Sequence, residues 1–371
     1  MKITIATGLY PPEIGGPATY SAMLESELPA KGIEVTTVPF GWVRHYPKVV
    51  RHFVYAYKLW QESKGVKIIY ALDPVSVGLP AMLVAKIKRV PFLVRLGGDY
   101  AWEQGRGRFG MKQTLDEYIA NQTNAPLKVR LLAKIQTAVV SRAVQVVVPS
   151  NYLKSVVLAW GIKEERITVI YSSLHKIEVS GNKDTLRQQL QYTYPTIVSS
   201  GRLVPWKGFS VLIEVIANLA KEHPQISLIV VGDGPERNNL EEKVSALKIS
   251  KHVRFVDSIS KDALGATVKA ADVFVLNTSY EGLSHQLIEV MDLGTPIVTT
   301  NVGGNPELIT DGVNGYLVEY NNSEALEEAI LRVLNHPESV ERMIQSARAR
   351  SKDFDKTKTI DKVVELLQSS V

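Results

Sequence analysis

Short apolar, β-branched runs alternate with amphipathic stretches along the first half of the chain. The stretches have helical periodicity, beginning with a helix at about residues 18–30. The runs predict strands at about residues 2–6, 34–40, 66–72, 91–96 and 144–149. Strands that alternate with helices form parallel sheets with helices on both faces. The first half therefore predicts a doubly wound, Rossmann-like α/β domain.

The same alternation resumes after a polar, turn-rich interruption at about residues 171–194. A mostly helical segment closes the chain, and further strands are expected at about residues 196–200, 227–231, 253–256, 273–276, 297–300 and 315–318. We predict an N-terminal domain over residues 1–175 and a C-terminal domain over residues 176–371, whose last helix packs back toward the N-terminal domain. Ligands bind at the carboxyl ends of parallel strands, which predicts a site in the cleft between the domains.

The composition is that of a folded globular protein, with 371 residues that are 45% hydrophobic and 22% charged. Cysteine is absent, which excludes disulfides, thiolate zinc sites, iron–sulfur clusters and a cysteine nucleophile. The longest apolar stretch, near residues 75–85, ends at Lys86, well short of the ~20 residues that span a bilayer. We expect a cytoplasmic protein without a membrane-spanning segment.

Positive charge is concentrated in the first half of the chain. Residues 1–176 contain 23 Lys and Arg against 12 Asp and Glu, a net charge of +11, whereas residues 177–371 carry a net charge of −6. Such a half attracts anions, for example a phosphorylated substrate or an anionic lipid. No helix-turn-helix, zinc-finger or RNA-binding signature accompanies the charge, so nucleic acid is not an expected partner.

Aromatic and basic residues alternate between Trp42 and Trp60. A helix from Lys48 would place four apolar side chains on one face, namely Val50, Phe53, Val54 and Tyr57. Two interpretations stay open. Either these side chains belong to the domain core, or the segment makes a peripheral contact with the inner face of the membrane or with a phospholipid acceptor.

A glycine-bounded basic segment, Gly201–Gly208 (GRLVPWKG), follows the strand predicted at 196–200. Arg202 and Lys207 lie five positions apart across a turn, so both can converge on one anion. A guanidinium offers a planar fork and an ammonium a point charge, a pair suited to a diphosphate. The segment therefore predicts a diphosphate site; the alternative is a basic surface loop.

A second segment, residues 279–291 (SYEGLSHQLIEVM), follows the strand at 273–276 and predicts a helix over about residues 284–294. The helix N-terminus favours phosphate or sugar oxygens, which would meet the amides of Gly282, Leu283 and Ser284. Glu281 precedes the helix and could accept hydrogen bonds from sugar hydroxyls. Glu289 lies on the apolar side of the helix and needs a polar partner, for which ribose hydroxyls would serve.

Two further glycine turns follow predicted strands. Gly15-Gly16 lies between the first strand and helix, and Gly232 begins a Gly-Asp-Gly-Pro segment that opens a helix with proline in its first turn. Each alone is as consistent with a structural turn as with a binding loop. The chain lacks both the Gly-x-Gly-x-x-Gly spacing of dinucleotide sites and a P-loop.

Together these segments resemble the family 4 glycosyltransferases of the GT-B fold over essentially the whole chain. The resemblance rests on the Gly15-Gly16 turn and on SSGRLVPWKG (199–208), VVGDGP (230–235), YEGLSHQLIEVMDLGTPIVTT (280–300) and VGGNPELITDGVNGYLV (302–318). It implies two Rossmann-like domains facing across a cleft, with the acceptor bound by the N-terminal domain (1–175) and a nucleoside-diphosphate sugar donor held mainly by the C-terminal domain (176–371). It also implies transfer with retention of anomeric configuration and no divalent metal or other cofactor.

The resemblance also implies residue roles. Arg202 and Lys207 would hold the diphosphate, Glu289 the ribose, and Glu281 with the amides after it the transferred sugar. The other donor contacts implied are at Gly15, Gly16, Gly232, Ile259, Gly282, Leu283 and Ser284. The catalytic residues implied are Glu281, Arg202 and Lys207.

One position departs from the family pattern. Many members carry a His-Asp pair after the strand that corresponds to residues 91–96, but here Gly98 stands where the histidine is expected and Asp99 remains. We therefore add Asp99 to the candidate catalytic residues, with Trp102 and Glu103 beside it. The alternative is that Asp99 caps a loop over a buried tryptophan.

Three functions stay open from the sequence. The favoured one is a hexosyltransferase that moves a sugar from a UDP- or GDP-linked donor to an acceptor hydroxyl, with a lipid-linked or cell-envelope glycan as the expected acceptor. The alternatives are a sugar-nucleotide epimerase on the same fold and a non-catalytic nucleotide-sugar-binding protein. Neither the Asp-x-Asp at residues 353–355 nor the seven histidines form a metal-ligand pattern, so no catalytic metal is predicted.

Overall fold

The chain divides into two compact units in the computed structural model, which describes residues 1–13, 15–192 and 195–371. The first unit combines residues 1–172 with residues 356–371, and the second comprises residues 173–355. The C-terminal segment therefore belongs to the first unit, although the chain reaches it only after completing the second.

The first unit is built on a parallel six-stranded sheet. Its strands are β1 (Lys2–Thr7), β2 (Glu34–Pro39), β3 (Ile68–Ala71), β4 (Phe92–Arg95), β5 (Gln145–Val148) and β6 (Ile167–Val169). Its helices before the second unit are α1 (Gly16–Glu27), α2 (Val50–Glu62), α3 (Gly78–Lys88), α4 (Tyr100–Arg108), α5 (Leu115–Ala120), α6 (Leu127–Val140) and α7 (Asn151–Ala159). The strand order is β2-β1-β3-β4-β5-β6, and Ile3 pairs with Val35 on one side and Ile68 on the other.

The second unit is also built on a parallel six-stranded sheet. Its strands are β7 (Thr196–Ser200), β8 (Ser227–Val231), β9 (Val253–Val256), β10 (Val273–Leu276), β11 (Ile297–Thr300) and β12 (Tyr316–Val318). Its helices are α8 (Lys183–Leu190), α9 (Phe209–Glu222), α10 (Arg237–Ala246), α11 (Lys261–Ala270), α12 (His285–Leu293), α13 (Asn305–Leu308), α14 (Ser323–Asn335) and α15 (Pro337–Ser351). The strand order is β12-β11-β10-β7-β8-β9. Strands β7, β10 and β11 are buried along their whole length, as expected for parallel strands covered on both faces.

Two expectations about local structure were wrong, and one strand was missed. The interruption predicted at 171–194 contains helix α8, capped by Asn182, whose side chain accepts from the Thr185 amide at 2.9 Å; residues 193 and 194 lie outside the described residues. Strand β6 was not predicted, because three residues at a sheet edge give too short a pattern. Pro235 precedes α10 instead of lying in its first turn.

Helix α2 exposes the aromatic face for which the sequence left two interpretations open. Phe53 is 74% exposed and Tyr57 58% exposed, whereas Tyr55 and Leu59 are buried. The core interpretation is therefore wrong for Phe53 and Tyr57. Across the described ranges, no helix is both long enough and apolar enough to cross a bilayer.

The last helix, α16 (Lys356–Ser369), packs into the core of the first unit. Four of its apolar side chains join a cluster with residues of β1, β3 and α1; they are Ile360, Val363, Leu366 and Leu367. Two ion pairs at the surface join the same helix to the first unit, Lys356–Glu27 and Asp361–Lys31, both at 2.6 Å. The helix thus closes the hydrophobic core of the first unit.

We predict that Leu367→Ala destabilises the first unit by about 2–5 kcal/mol, because Leu367 is fully buried and its truncation leaves a cavity. Urea unfolding followed by circular dichroism measures the loss. Gln368→Ala, one position along on the exposed side of α16, is the matched control and should change the free energy of unfolding by less than about 0.5 kcal/mol. Equal unfolding free energies for the two variants would contradict the packing described for α16.

Candidate functional site

The second sheet changes its winding direction between β7 and β10. Strand β7 comes first in this unit, β8 and β9 lie on one side of it, and β10, β11 and β12 lie on the other. In doubly wound sheets the crevice outside the carboxyl ends of the strands at this switch point is the usual ligand site. The two segments singled out from the sequence follow these two strands, since residues 201–208 come after β7 and residues 277–284 after β10.

The segment after β7 forms a tight turn that leads into α9. Residues Pro205–Lys207 make one 3₁₀ turn, and Gly208 has a left-handed backbone, with φ at 57°. A Cβ at Gly208 would lie 2.4 Å from the carbonyl oxygen of Asn277, so the loop after β10 leaves room only for glycine. The Asn277 amide donates to the Gly208 carbonyl at 3.0 Å, which ties the two segments together.

Helix α12 begins and ends where the sequence predicted. Ser284 caps it by accepting from the Leu287 amide at 3.3 Å, and Gly294 ends it in a left-handed conformation. Amides in the first turn of a helix have no partner within the helix, and they carry the positive end of its dipole. Residues 282–284, at this end of α12, are buried in the loop that follows β10 at the switch point.

An ion pair joins the two segments. The Lys207 ammonium contacts the Glu281 carboxylate, and both side chains are largely buried, at 18% and 17% exposure. Arg202 is exposed and has no ion-pair partner among the residues described. Of the two residues predicted to bind the diphosphate, Lys207 is thus held in place by a carboxylate, and Arg202 is available to an anion.

Glu289 lies inside α12 with its side chain mostly buried. Its partner is Lys261, whose ammonium lies 3.2 Å from the Glu289 carboxylate. Burial raises the pKa of Glu289, and the Lys261 ammonium opposes that rise. The sequence indicated that this carboxylate needs a polar partner, and Lys261 is the one present.

Two further predicted donor residues lie at the carboxyl ends of neighbouring strands. Gly232 is buried directly after β8, and its amide donates to the Val256 carbonyl at 2.9 Å. Ile259 is half-buried in the loop between β9 and α11, just before Ser260, which caps α11 through the Ala263 amide. The structure thus places Gly232 and Ile259 at the same edge of the sheet as Arg202 and Lys207.

Comparison with known families accounts for both units. A model of Glycosyltransferase Family 4 matches residues 14–174, and a model of Glycosyl transferases group 1 matches residues 182–350. The chain belongs to the family 4 glycosyltransferases. The predicted family is therefore confirmed.

Individual relatives of this chain are also named glycosyltransferases. An uncharacterized glycosyltransferase of Methanocaldococcus jannaschii is 25% identical over 92% of this chain and 86% of its own length. An uncharacterized glycosyltransferase of Haemophilus influenzae is 33% identical over 46% of this chain, an alignment that spans 47%, about half, of that protein. The crystal structure of Anabaena HepE in complex with UDP-glucose covers 100% of both chains with a TM-score of 0.79 and 21% identity. That likeness shows the fold, and the predicted GT-B class is confirmed.

The glycine turn of the first unit lies at the carboxyl end of β1. Gly15 caps α1, accepting from the Thr19 amide at 3.1 Å, and Gly16 is the first helical residue. Ile14, just before them, lies outside the described residues. The expected contact of Gly15 and Gly16 with the donor phosphates stays a prediction.

Asp99 of the glycosyltransferase is the N-cap of α4. Its carboxylate accepts from the Trp102 amide at 2.9 Å, and burial raises the pKa of Asp99 to about 6. Trp102 is fully buried and donates from its indole nitrogen to the Gln113 carbonyl at 3.0 Å. These contacts are those of the structural alternative, a capped helix over a buried tryptophan. The catalytic role of Asp99 stays a prediction.

The structure adds groups that the sequence analysis did not single out. Lys261 pairs with Glu289 across 28 positions, and the Gln286 side chain donates to the Ser200 hydroxyl at the end of β7. Gly303 lies against the segment after β10, and a Cβ there would be 2.1 Å from the Glu281 carbonyl oxygen. No local sequence pattern indicates the contacts of Lys261 and Gln286. The paired glycines at 303–304, however, could have indicated a close approach of two backbone segments.

No group of three or more His, Asp or Glu side chains that could hold a metal ion occurs in the portion of the chain described. Asp353 of the Asp-x-Asp triplet instead pairs with Arg350 at 2.9 Å, and Phe354 between the two aspartates is buried. The triplet is therefore part of the packing at the end of α15.

We predict that Gly303→Ala distorts the loop that carries Glu281 and destabilises the second unit. The new Cβ would overlap a carbonyl oxygen, and overpacking of this kind costs about 1–3 kcal/mol beyond the left-handed backbone strain. Gly312→Ala is the matched control, since Gly312 also has a left-handed backbone (φ 70°) but no neighbour within 4 Å of the added Cβ. Urea unfolding of both variants measures the difference. Equal losses would mean that strain alone acts and that the contact at Glu281 is unimportant.

Proposed function

We propose that the protein is a retaining hexosyltransferase that moves a sugar from a nucleoside-diphosphate donor to an acceptor hydroxyl. The observation that carries the proposal is the arrangement at the switch point of the second sheet. Arg202, Lys207 and the N-terminus of α12 lie on two adjacent loops at the carboxyl ends of β7 and β10. A diphosphate placed there would meet a guanidinium, an ammonium and a helix dipole together.

The proposed step breaks the bond between the anomeric carbon and the diphosphate oxygen. Negative charge then develops on the departing nucleoside diphosphate, and Arg202, Lys207 and the α12 amides stabilise it without a divalent metal. The acceptor oxygen forms the new bond on the face that the diphosphate leaves, and its proton passes to a phosphate oxygen of the donor. No carboxylate is assigned as a nucleophile in this scheme, which preserves anomeric configuration by same-face attack.

The remaining donor contacts follow from the same arrangement. Glu289 would accept from the ribose hydroxyls, displacing its contact with Lys261, and Glu281 with the amides after it would hold the transferred sugar. Ile259 lies at the carboxyl end of β9, where the base would bind. The fold neighbour HepE was crystallised with UDP-glucose, which makes UDP the first nucleotide to test beside GDP.

The two alternative functions are less well supported. An epimerase would change the donor sugar without any acceptor, and it needs acid and base groups around the second carbon of the sugar. A binding protein would tolerate loss of Glu281. Incubation with UDP-glucose separates the three, because only the epimerase makes a new nucleotide sugar and only the transferase releases UDP faster when an acceptor is added.

We predict that UDP stabilises the protein in the presence of EDTA and that Arg202→Ala abolishes most of this effect. A ligand at a hundred times its dissociation constant adds ~2.7 kcal/mol of stability, which raises the unfolding midpoint by several degrees. Loss of one charged donor to the developing diphosphate should lower turnover by about 10²–10³ in Arg202→Ala and in Lys207→Ala. Thermal unfolding titrated with UDP, GDP and ADP, and UDP release from UDP-glucose, measure the two effects.

Lys251→Ala is the charge-matched control, since Lys251 is an exposed cation of the same unit on the turn before β9. It should keep the wild-type UDP shift. A wild-type protein that no nucleoside diphosphate stabilises would overturn the proposal as a whole. A UDP shift that survives unchanged in Arg202→Ala would overturn the assignment of the diphosphate site.

For the acceptor, we propose a lipid-linked glycan reached at the membrane surface through α2. Phe53 and Tyr57 are exposed on this helix, and basic side chains lie over the neighbouring aromatic rings. The Lys88 ammonium is 5.2 Å from the ring centre of Trp60, and the Lys58 ammonium is 5.6 Å from that of Trp42. Exposed aromatic groups flanked by lysines are the composition of a helix that lies in an anionic lipid interface.

We predict that Phe53→Ala and Tyr57→Ala each weaken binding to anionic vesicles by about tenfold, because each removes a ring that would leave water for the lipid interface. Pelleting with phosphatidylglycerol vesicles at low salt measures the bound fraction. Leu127→Ala is the control, since Leu127 is 79% exposed but lies on α6. Absence of wild-type binding, or equal loss in the Leu127 variant, would overturn the assignment of α2 as the membrane contact.

A further inference from the structure

A cavity of about 510 Å³ lies in the first unit, at the carboxyl edge of its sheet. Its walls come from the segments that follow β1, β2, β3 and β4, including Leu9, Phe40, Leu72 and Tyr100. The strand order β2-β1-β3 puts the switch point of this sheet at the same place, since β1 is its first strand. The cavity therefore has the position and the size of a small-molecule site.

Three arginines line this cavity, namely Arg44, Arg51 and Arg108, and we call it the arginine pocket. Arg44 is engaged, because it pairs with Glu13 and donates to the Gly8 carbonyl at 2.7 Å. Arg51 and Arg108 have no ion-pair partner within residues 1–13, 15–192 and 195–371. The Arg51 Nε is also buried without a hydrogen-bond acceptor. A buried, unsatisfied charged donor is unfavourable, so the protein carries a cost that an anionic ligand would remove.

The one carboxylate in the lining does not neutralise these arginines. Asp73 directs Oδ1 to the backbone, accepting from the amides of Val75 at 2.9 Å and Ser76 at 2.6 Å. Its role is to hold the turn after β3. Arg51, whose guanidinium lies 5.5 Å from the ring centre of Phe40, and Arg108 therefore keep hydrogen-bond donors for the oxygens of a phosphoryl group.

Uncharged polar groups complete the pocket beside the arginines. Tyr100, Gln104 and Arg108 lie four positions apart on α4, so they share one face of that helix. The Tyr100 hydroxyl accepts from the Ser76 hydroxyl at 3.2 Å and can donate its own proton outward. Such groups suit the oxygens and hydroxyls that adjoin a phosphoryl group on a sugar or a lipid headgroup.

We propose that the arginine pocket binds a phosphoryl group carried by the acceptor, through the planar forks of Arg51 and Arg108. The inference rests on the proposed glycosyl transfer, because it specifies the chemical class of the acceptor. A phosphoryl group on the acceptor occurs in two sources, a soluble sugar phosphate and a phospholipid headgroup. A phosphomonoester in either source, as in glucose 1-phosphate or phosphatidic acid, presents the same dianion to the pocket.

The test is isothermal titration calorimetry of the full chain saturated with UDP, which occupies the donor site. The probes are glucose 1-phosphate and dihexanoyl phosphatidic acid, with glucose as the uncharged reference. We expect both phosphorylated probes to bind more tightly than glucose, and Arg51→Ala and Arg108→Ala each to weaken their binding by about tenfold or more. The tighter of the two probes identifies the source of the phosphoryl group, and either result supports the pocket.

Arg130→Ala is the matched control, because Arg130 is an exposed arginine on α6 that does not line the pocket. It should leave the affinity for both probes unchanged. Arg108 is exposed at the end of α4, so its variant stays informative if Arg51→Ala unfolds. Equal affinities for glucose and the phosphorylated probes, or equal losses in all three arginine variants, would overturn the inference. Failure of UDP to bind is a separate result that counts against the donor site alone.

Discussion

The ion pair between Lys207 and Glu281 is the contact on which the candidate site depends. It joins the loops after β7 and β10 at the point where the second sheet reverses direction. A largely buried pair of this kind adds little net stability, since desolvation offsets most of the attraction. Its value lies in geometry, because it fixes an ammonium at a helix N-terminus before any ligand arrives. Under the proposed function, the leaving diphosphate would meet charges that need no reorganisation at the moment of reaction.

The backbone around this pair is equally constrained. Gly208 leaves no room for a Cβ beside Asn277, and Gly303 leaves none beside the carbonyl of Glu281. The loops at the carboxyl edge thus pack backbone against backbone, with the strands behind them fully buried. A loop held on both sides in this way positions its side chains as firmly as a helix or strand does. The site therefore gains its precision from the Lys207–Glu281 pair together with the backbone packing of the loops at the sheet edge.

The sequence could predict the helix and strand bounds that neighbouring residues specify. The bounds of α12 were predictable because Ser284 caps one end and Gly294 ends the other, and β7 was predictable because its β-branched residues 196–198 lie shortly before the glycine turn at Gly201. The Lys261–Glu289 pair was not predictable, since no spacing rule connects residues 28 positions apart on different helices. The exposure of Phe53 was not predictable either, because a helical pattern shows which residues share a face but not whether that face meets the core.

The arginine pocket shows that the charge distribution along the sequence is also a limited guide to the site. The net charge of +11 in residues 1–176 indicated an anion-binding half, yet it could not say which of its cations converge. Arg51 and Arg108 come from separate helices that the sheet order brings to one cavity. The second half carries a net charge of −6, and its candidate diphosphate site is nevertheless basic locally. Net charge governs the approach of an anion over distances near the Debye length of ~10 Å. Binding depends on the few donors within hydrogen-bond reach, and only the fold decides which these are.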